Sequence, residues 1–129
     1  MNALQIALED AKGISREHMV QARLMQVVSS SVARNEDMAE ALAQLSDYSR
    51  AHFLSEETLM RLYAYPDLPA HQQDHEDMVA WLDELLAKNG DKEAMTHAVG
   101  ELTSLFLKHI GGHDIFLHDF LEDLSVETV

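Results

Sequence analysis

His52-Phe-Leu-Ser-Glu56 is followed, across a turn holding Pro66 and Pro69, by His71-Gln-Gln-Asp-His75. Each is a pair of potential metal ligands at i and i+4, which on a helix lie one above the other on the same face. Two helices joined by so short a connection run antiparallel, so their inner faces meet. Reading outward, Met38, Leu42, Leu45, Ser49, His52, Glu56, Leu59 and Tyr63 recur at spacings of four and three. That is the seam of a helix bundle, and His52 and Glu56 stand in it where Leu would otherwise be. Past the turn, His71, His75, Met78, Leu82 and Leu85 or Leu86 repeat the pattern. Pro69 suits a first helical turn, because its missing N–H is one that has no partner there anyway.

Two further helices flank this pair. Ser15 reads as the N-cap of a first helix running to about Arg34, with Ile14, His18, Ala22, Met25, Val28 and Val32 as its inward stripe. Residues 1–13 read as a short N-terminal arm whose Leu4, Ile6, Ala7 and Leu8 could pack on the bundle, as a short helix ending near Gly13. Asn35-Glu36-Asp37 is a polar turn capping the second helix, and Asn89-Gly90 stops the third, with Asp91 free to cap the fourth. The fourth presents Met95, Val99, Leu102, Phe106 and His109 on one face and continues past Gly111-Gly112 to about Leu124. Trp81 flanks the core, and residues 125–129 read as a frayed tail. The expectation is one all-α domain spanning 1–129, an antiparallel up-down-up-down four-helix bundle over residues 14–124.

Composition agrees. A chain of 129 residues fits one compact domain, and helix formers abound while β-branched runs are nearly absent. The formal charge of −14, from 23 acidic and 9 basic side chains, argues against nucleic acid and anionic membranes, which need clustered Lys and Arg. No apolar run approaches bilayer length, and the first residues lack the basic flank and apolar core of a signal peptide. A cytoplasmic location is expected. With no Cys at all, a metal would be held by imidazole and carboxylate alone.

The compositional oddity is eight His in so short a chain. A lone His in a seam is ordinarily a hydrogen-bonded core residue, and His97 and His118 are read as surface residues. The conjunction of His18, His52, Glu56, His71, His75 and His109 on inward stripes is different, because burying so many polar groups without a metal carries a large desolvation cost. Imidazoles with carboxylates suit iron, and bundle interiors host two-iron sites. Asp114 is awkward, since five residues beyond His109 a regular helix turns it about 140° away. His113, at i+4, is the rival. A one-residue π-bulge would swing Asp114 into line, and Gly111-Gly112 weakens the regular helix at that point. Spacing leaves the two residues open.

The arrangement resembles the hemerythrin family, bacteriohemerythrins in particular, from about residue 14 to the end of the fourth helix. The resemblance rests on His18, His52-Phe53-Leu-Ser-Glu56-Glu57-Thr-Leu-Met60, His71-Gln-Gln-Asp-His75 and His109-Ile110-Gly-Gly-His-Asp114. It implies two iron ions bridged by Glu56, Asp114 and an oxo or hydroxo group. His71, His75 and His109 would complete one iron, while His18 and His52 would hold the other and leave a position open for dioxygen. Asp114, not His113, matches the second bridging carboxylate. Phe106 and Leu105 would line the dioxygen pocket. The sequence departs from the family's usual pattern before two of the ligands, with Ser15-Arg-Glu17-His18 in place of Asp-x-Gln-His. Leu105-Phe106-Leu-Lys-His109 likewise replaces Trp-Leu-x-x-His, and the usual Trp of the N-terminal arm is missing.

The function so implied is reversible dioxygen binding for storage, delivery or sensing, without enzymatic activity beyond a weak peroxidase-type reaction. A chain ending at Val129 with no output domain fits a free-standing carrier or an excised sensor domain, which could form a homo-oligomer or meet a redox partner. The alternatives are a diiron redox enzyme of the peroxidase or ferroxidase kind, an NO or redox sensor domain, and a metal-free or zinc-bound structural bundle. Ferritin-like enzyme sites are carboxylate-rich, and a ligand set dominated by His argues for a binder.

Overall fold

The computed structural model describes residues 3–34, 38–87 and 92–126. They form α1 (Ala3–Ala33), α2 (Ala39–Leu62), α3 (Leu68–Ala87), α4 (Lys92–His109), a π-helical turn (Ile110–Asp114) and α5 (Ile115–Val126). The last three follow one another without a break and make the fourth rod of an all-α bundle. α1 packs on α2, α4 and α5, and α3 on α2 and α4. No strand occurs among the described residues, and no described helix is long and apolar enough to cross a membrane. The expected turns at 35–37 and 88–91 lie outside the described residues, as do positions 127–129 of the tail and the side chains of residues 3–8.

α1 does not begin at Ser15. The backbone is helical from Ala3, so the arm from Ala3 to Gly13 forms the leading turns of the same helix. Ser15 is a mid-helix serine whose hydroxyl donates back to the Ala11 carbonyl at 3.3 Å, the local bond that a helical serine makes in place of a cap. Continuation is favoured because Ala11 and Ile14 are fully buried and extend the apolar stripe toward α5. A second correction concerns the stripe itself. Ala22 is exposed and Gln21 is completely buried, so the inward face runs Ile14, His18, Gln21, Met25, Val28.

The core is divided. One apolar cluster gathers Met25, Val28, Leu42, Leu45, Phe53, Met78, Leu82, Val99, Leu102 and Phe106. The other gathers Ala11, Ile14, Met60, Tyr65, Leu117 and Leu121. On every rod the polar seam residues fall between the two. This is the antiparallel consequence of one pattern used four times, with the polar layer at mid-height.

The α2–α3 turn shows how tightly the chain is reversed. Tyr65 N–H donates to Met60 O at 2.8 Å and Ala64 N–H to Arg61 O at 3.3 Å, the paired bonds of a Schellman motif. Tyr65 and Met60 then meet in the second apolar cluster, the hydrophobic contact that accompanies such caps. The left-handed position is held by Ala64, at φ 52°, where an L side chain is strained by roughly 1–2 kcal/mol. Ala64→Gly removes that strain and adds unfolded-state entropy, so the variant should be more stable by about 0.5–1 kcal/mol. Chemical denaturation checks it, and a loss of stability would show that the Ala64 methyl makes a packing contact worth more than the strain.

Candidate metal centre

Each helix contributes to the polar layer from the residues that its stripe turns inward. α1 supplies His18, α2 His52 and Glu56, α3 His71 and His75, and the fourth rod His109 and Asp114. The π-helical turn delivers the last of these. One extra residue between Ile110 and Asp114 rotates Asp114 onto the His109 face, where it is 1 % exposed. His113 is left half-buried beside the rings of His71 and His109. Neither glycine in the turn is there for steric reasons, since a Cβ on Gly111 or Gly112 would meet nothing within 4 Å.

The converging atoms fall into two groups, Glu56, His71, His75, His109 and Asp114 in one and His18, His52, Glu56 and Asp114 in the other. Within each group the potential ligand atoms lie within 4.8 Å of one another, and Glu56 and Asp114 belong to both. Asp114 Oδ1 is 2.9 Å from His71 Nε2 and 2.8 Å from His109 Nε2, and its Oδ2 is 2.7 Å from His18 Nε2. Glu56 Oε1 is 3.1 Å from His52 Nε2 and 3.2 Å from His75 Nε2. Yet Glu56 Oε1 and Oε2, Asp114 Oδ2, His18 Nε2 and His52 Nε2 are all buried without an aligned hydrogen bond. They crowd together but do not pair.

The outer nitrogens explain why. His52 Nδ1 lies 2.7 Å from Glu17, His75 Nδ1 3.2 Å from Glu57, and His109 Nδ1 2.5 Å from Asp74. A carboxylate only accepts, so each of these Nδ1 atoms carries the proton and donates it. In the neutral ring Nε2 is then a bare lone pair aimed inward. His75 Nε2 and His109 Nε2 face each other at 3.1 Å. Two lone pairs at that distance repel unless a proton or a cation stands between them. Orienting carboxylates behind inward nitrogens are the usual outer partners of metal-bound histidines. The residues present therefore fit a metal.

Without one, protons take the role. Burial disfavours a charged His18, but hydrogen bonds and charge from Asp114 and Glu56 win, and its pKa rises to about 9. His109 rises to about 10 for the same reasons, and His52 also rises, burial being outweighed chiefly by Glu56. Glu56 is held well below the usual carboxylate range, since the histidines outweigh its own burial, and Asp114 is lowered likewise.

Around this layer the walls are apolar. Phe53 stacks on His75 with centroids 4.2 Å apart and lies 6.2 Å from Phe106. Tyr65 stands edge-on to His71. Phe106 is 2 % exposed and belongs to the core. Leu105 is not part of that wall. It is 38 % exposed and lines a shallow outer groove with Asp74, Lys108 and Phe116, because position 105 sits on the shoulder of a stripe centred on Leu102, Phe106 and His109. His97 lies at the surface, 78 % exposed, and His118 is partly covered beside Glu122.

Sequence reasoning missed Glu17, Glu57 and Asp74 as partners and Gln21 as a buried residue. The signal was present. Each carboxylate is the sequence neighbour of an inward residue (His18, Glu56, His75), which places it on the shoulder facing the next helix. In metal-free protein the raised His18 and His109 contribute stability that is fully present below 6.5 and lost as pH rises through about 9 and 10. The lowered Glu56 and Asp114 contribute stability that is lost on acidification below their ordinary values of 4.5 and 3.8. The melting temperature of chelator-treated protein should therefore be highest between these limits and fall from pH 6 to pH 10. A flat profile over that range would mean that the histidines are not charged in the folded state.

Comparison with known families returns the Hemerythrin HHE cation binding domain, matched over residues 10–118. No curated protein and no solved structure matches the chain. The matched span runs from within α1 to the first turn of α5 and takes in every residue of both ligand groups. The chain belongs to the hemerythrin family.

Proposed function

We propose that the polar layer holds two iron ions and that the protein binds dioxygen reversibly. The observation that carries the metal reading is the lone-pair face of the histidines, above all His75 and His109 meeting Nε2 to Nε2 at 3.1 Å with both outer nitrogens already committed. Two ligand groups that share both carboxylates support a reading with two ions. In this reading His71, His75 and His109 would hold one ion and His18 and His52 the other, and Glu56 and Asp114, which belong to both groups, would serve both. The second ion then has fewer protein ligands, which leaves room for an exogenous one. Ferrous ions so held supply the electrons for reversible dioxygen binding.

The chain's own residues do the rest. Glu17, Glu57 and Asp74 fix the tautomer and ring angle of three ligands. Phe53, Met25 and Phe106 exclude water and with it the protons that would discharge a bound ligand. Histidine outnumbering carboxylate favours binding over the carboxylate-rich enzyme sites of ferritin-like bundles. We read residues 1–129 as one domain acting in the cytoplasm, with storage, delivery and sensing as its uses, dioxygen as its partner, and peroxidase-type turnover as a minor accompaniment.

The deciding experiment is the visible spectrum of reduced, iron-loaded protein as air is admitted and then removed. A colour that appears and reverses, at about two irons per chain, is expected. Irreversible oxidation would point to a sensor or redox enzyme, and a single bound zinc would end the iron reading. A second measurement addresses the outer carboxylates. Asp74→Asn keeps the size of the side chain but loses its charge, and metal affinity should fall by about 10–100-fold. Competition with a chelator reads this out, and unchanged affinity would remove Asp74 from the site.

A further inference from the structure

An ion that reaches the polar layer has to pass between rods, because the residues of both ligand groups are buried or nearly so. The shallow groove of about 320 Å³ between α3 and the fourth rod carries the chemistry for that passage. Asp67 and Asp74 line it from the α3 side, Lys108 and His113 from the other, and His109 reaches it from within. Asp74 is one-third exposed and also accepts the hydrogen bond of His109 Nδ1. One carboxylate thus touches both the solvent and a ligand of the layer. Other grooves lack these groups. Among the described residues, the groove between α1 and α4 has no Asp, Glu or His on its walls, and one along α1 carries Arg23 and Arg34. A hard divalent cation seeks oxygen ligands and negative potential, and only the first groove offers both.

His113 is left unused by the metal centre. It joins neither ligand group, yet it is half-buried, with its ring 5.3 Å from that of His71 and 5.9 Å from that of His109. The π-helical turn that carries it is held loosely. Gly112 lines the groove, and a Cβ on it or on Gly111 would meet nothing within 4 Å. A segment with so little packing opens locally at low cost. We propose that this groove admits the divalent cations that load the layer, with Asp67 and His113 taking the ion at the surface and the π-helical turn opening to let it past His109. Carboxylate and imidazole together suit ferrous and similar ions. Lys108 on the same wall repels the ion and slows its capture. This route rests on the reading that the layer holds metal ions, and it is indifferent to whether dioxygen is carried.

Cobalt(II), which changes colour when imidazole and carboxylate replace its water, serves as the probe. Chelator-treated protein is mixed with it by stopped flow to give the entry rate, and a strong chelator added to loaded protein gives the exit rate. Asn directly before α3 suits a helix start as well as Asp does, so Asp67→Asn should fold normally. It should slow entry and exit alike by about three- to tenfold, leaving affinity nearly unchanged. His113→Gln should act in the same way. Lys108→Gln should speed both rates by a similar factor, a gain that misfolding cannot imitate. Rates indifferent to all three substitutions would overturn the route and place entry elsewhere, for instance beside His18, whose side chain is 15 % exposed. A change in affinity carried by the exit rate alone would overturn it too, since these residues would then act on the bound ion. No uptake by the unaltered protein would overturn the metal reading itself, and the route with it.

Discussion

Three histidines donate a hydrogen bond from their outer nitrogen to a carboxylate on the preceding helix in the bundle, and nearly everything else about the polar layer follows. Glu17 on α1 accepts a hydrogen bond from His52 on α2, Glu57 on α2 from His75 on α3, and Asp74 on α3 from His109 on α4. The series steps from α1 to α4 across three of the bundle's helix pairs. It orients three rings with their inner nitrogens toward one centre, and it forbids those nitrogens from satisfying one another, because two acceptors cannot share a hydrogen bond without a proton between them. A dry layer filled with lone pairs and two carboxylates is tolerable only if positive charge enters it. The fold thus creates a demand for a cation by arranging its outer hydrogen bonds.

The division of the core makes that demand tolerable. Apolar clusters above and below the layer supply burial that does not depend on the site, so the strained polar residues ride on a bundle whose stability comes from elsewhere. The π-helical turn belongs to the same compromise. A regular helix would have turned His113 inward and Asp114 away. The extra residue breaks the helical register once, at a point where two glycines contribute no packing of their own, and lets α5 resume with Leu117 and Leu121 correctly aimed at the second cluster. Asp114 enters the layer while the seam on either side is preserved.

Much of this was legible in the chain. The alternating spacings of four and three around His52, His71 and His109 are set by helical geometry alone, so four rods and the inward residues on three of them could be read directly. Asp114 could not be, because a register shift leaves only a permissive trace, Gly111-Gly112, and the choice against His113 needed the family resemblance. Ala22 was misread for a different reason. Its methyl made it look apolar and Gln21 look polar, although continuing the alternation from His18 leads to 21 and then 25. Composition outvoted geometry there, and geometry won. Ser15 failed similarly: a serine before a helical run suggests a cap, but the apolar stripe already extended upstream to Ala11. The outer carboxylates sit beside inward residues on each helix, so their place on the shoulder was legible, but which histidine each one meets depends on the packing of the neighbouring helix.

Protons and metal are alternative answers to the same charge imbalance. With His18 and His109 raised to about 9 and 10 while Glu56 and Asp114 are lowered, the layer in metal-free protein is close to an internal salt. Protons on His18 and His109, with His52 also raised, then offset the two carboxylates until a metal takes their place. Loading then requires those protons to leave, because a metal takes the nitrogen only in its neutral form. Affinity for the metal must consequently rise with pH over the range in which the metal-free fold loses its own electrostatic support. The same residues hold the layer together in both states, and what changes is the carrier of the positive charge.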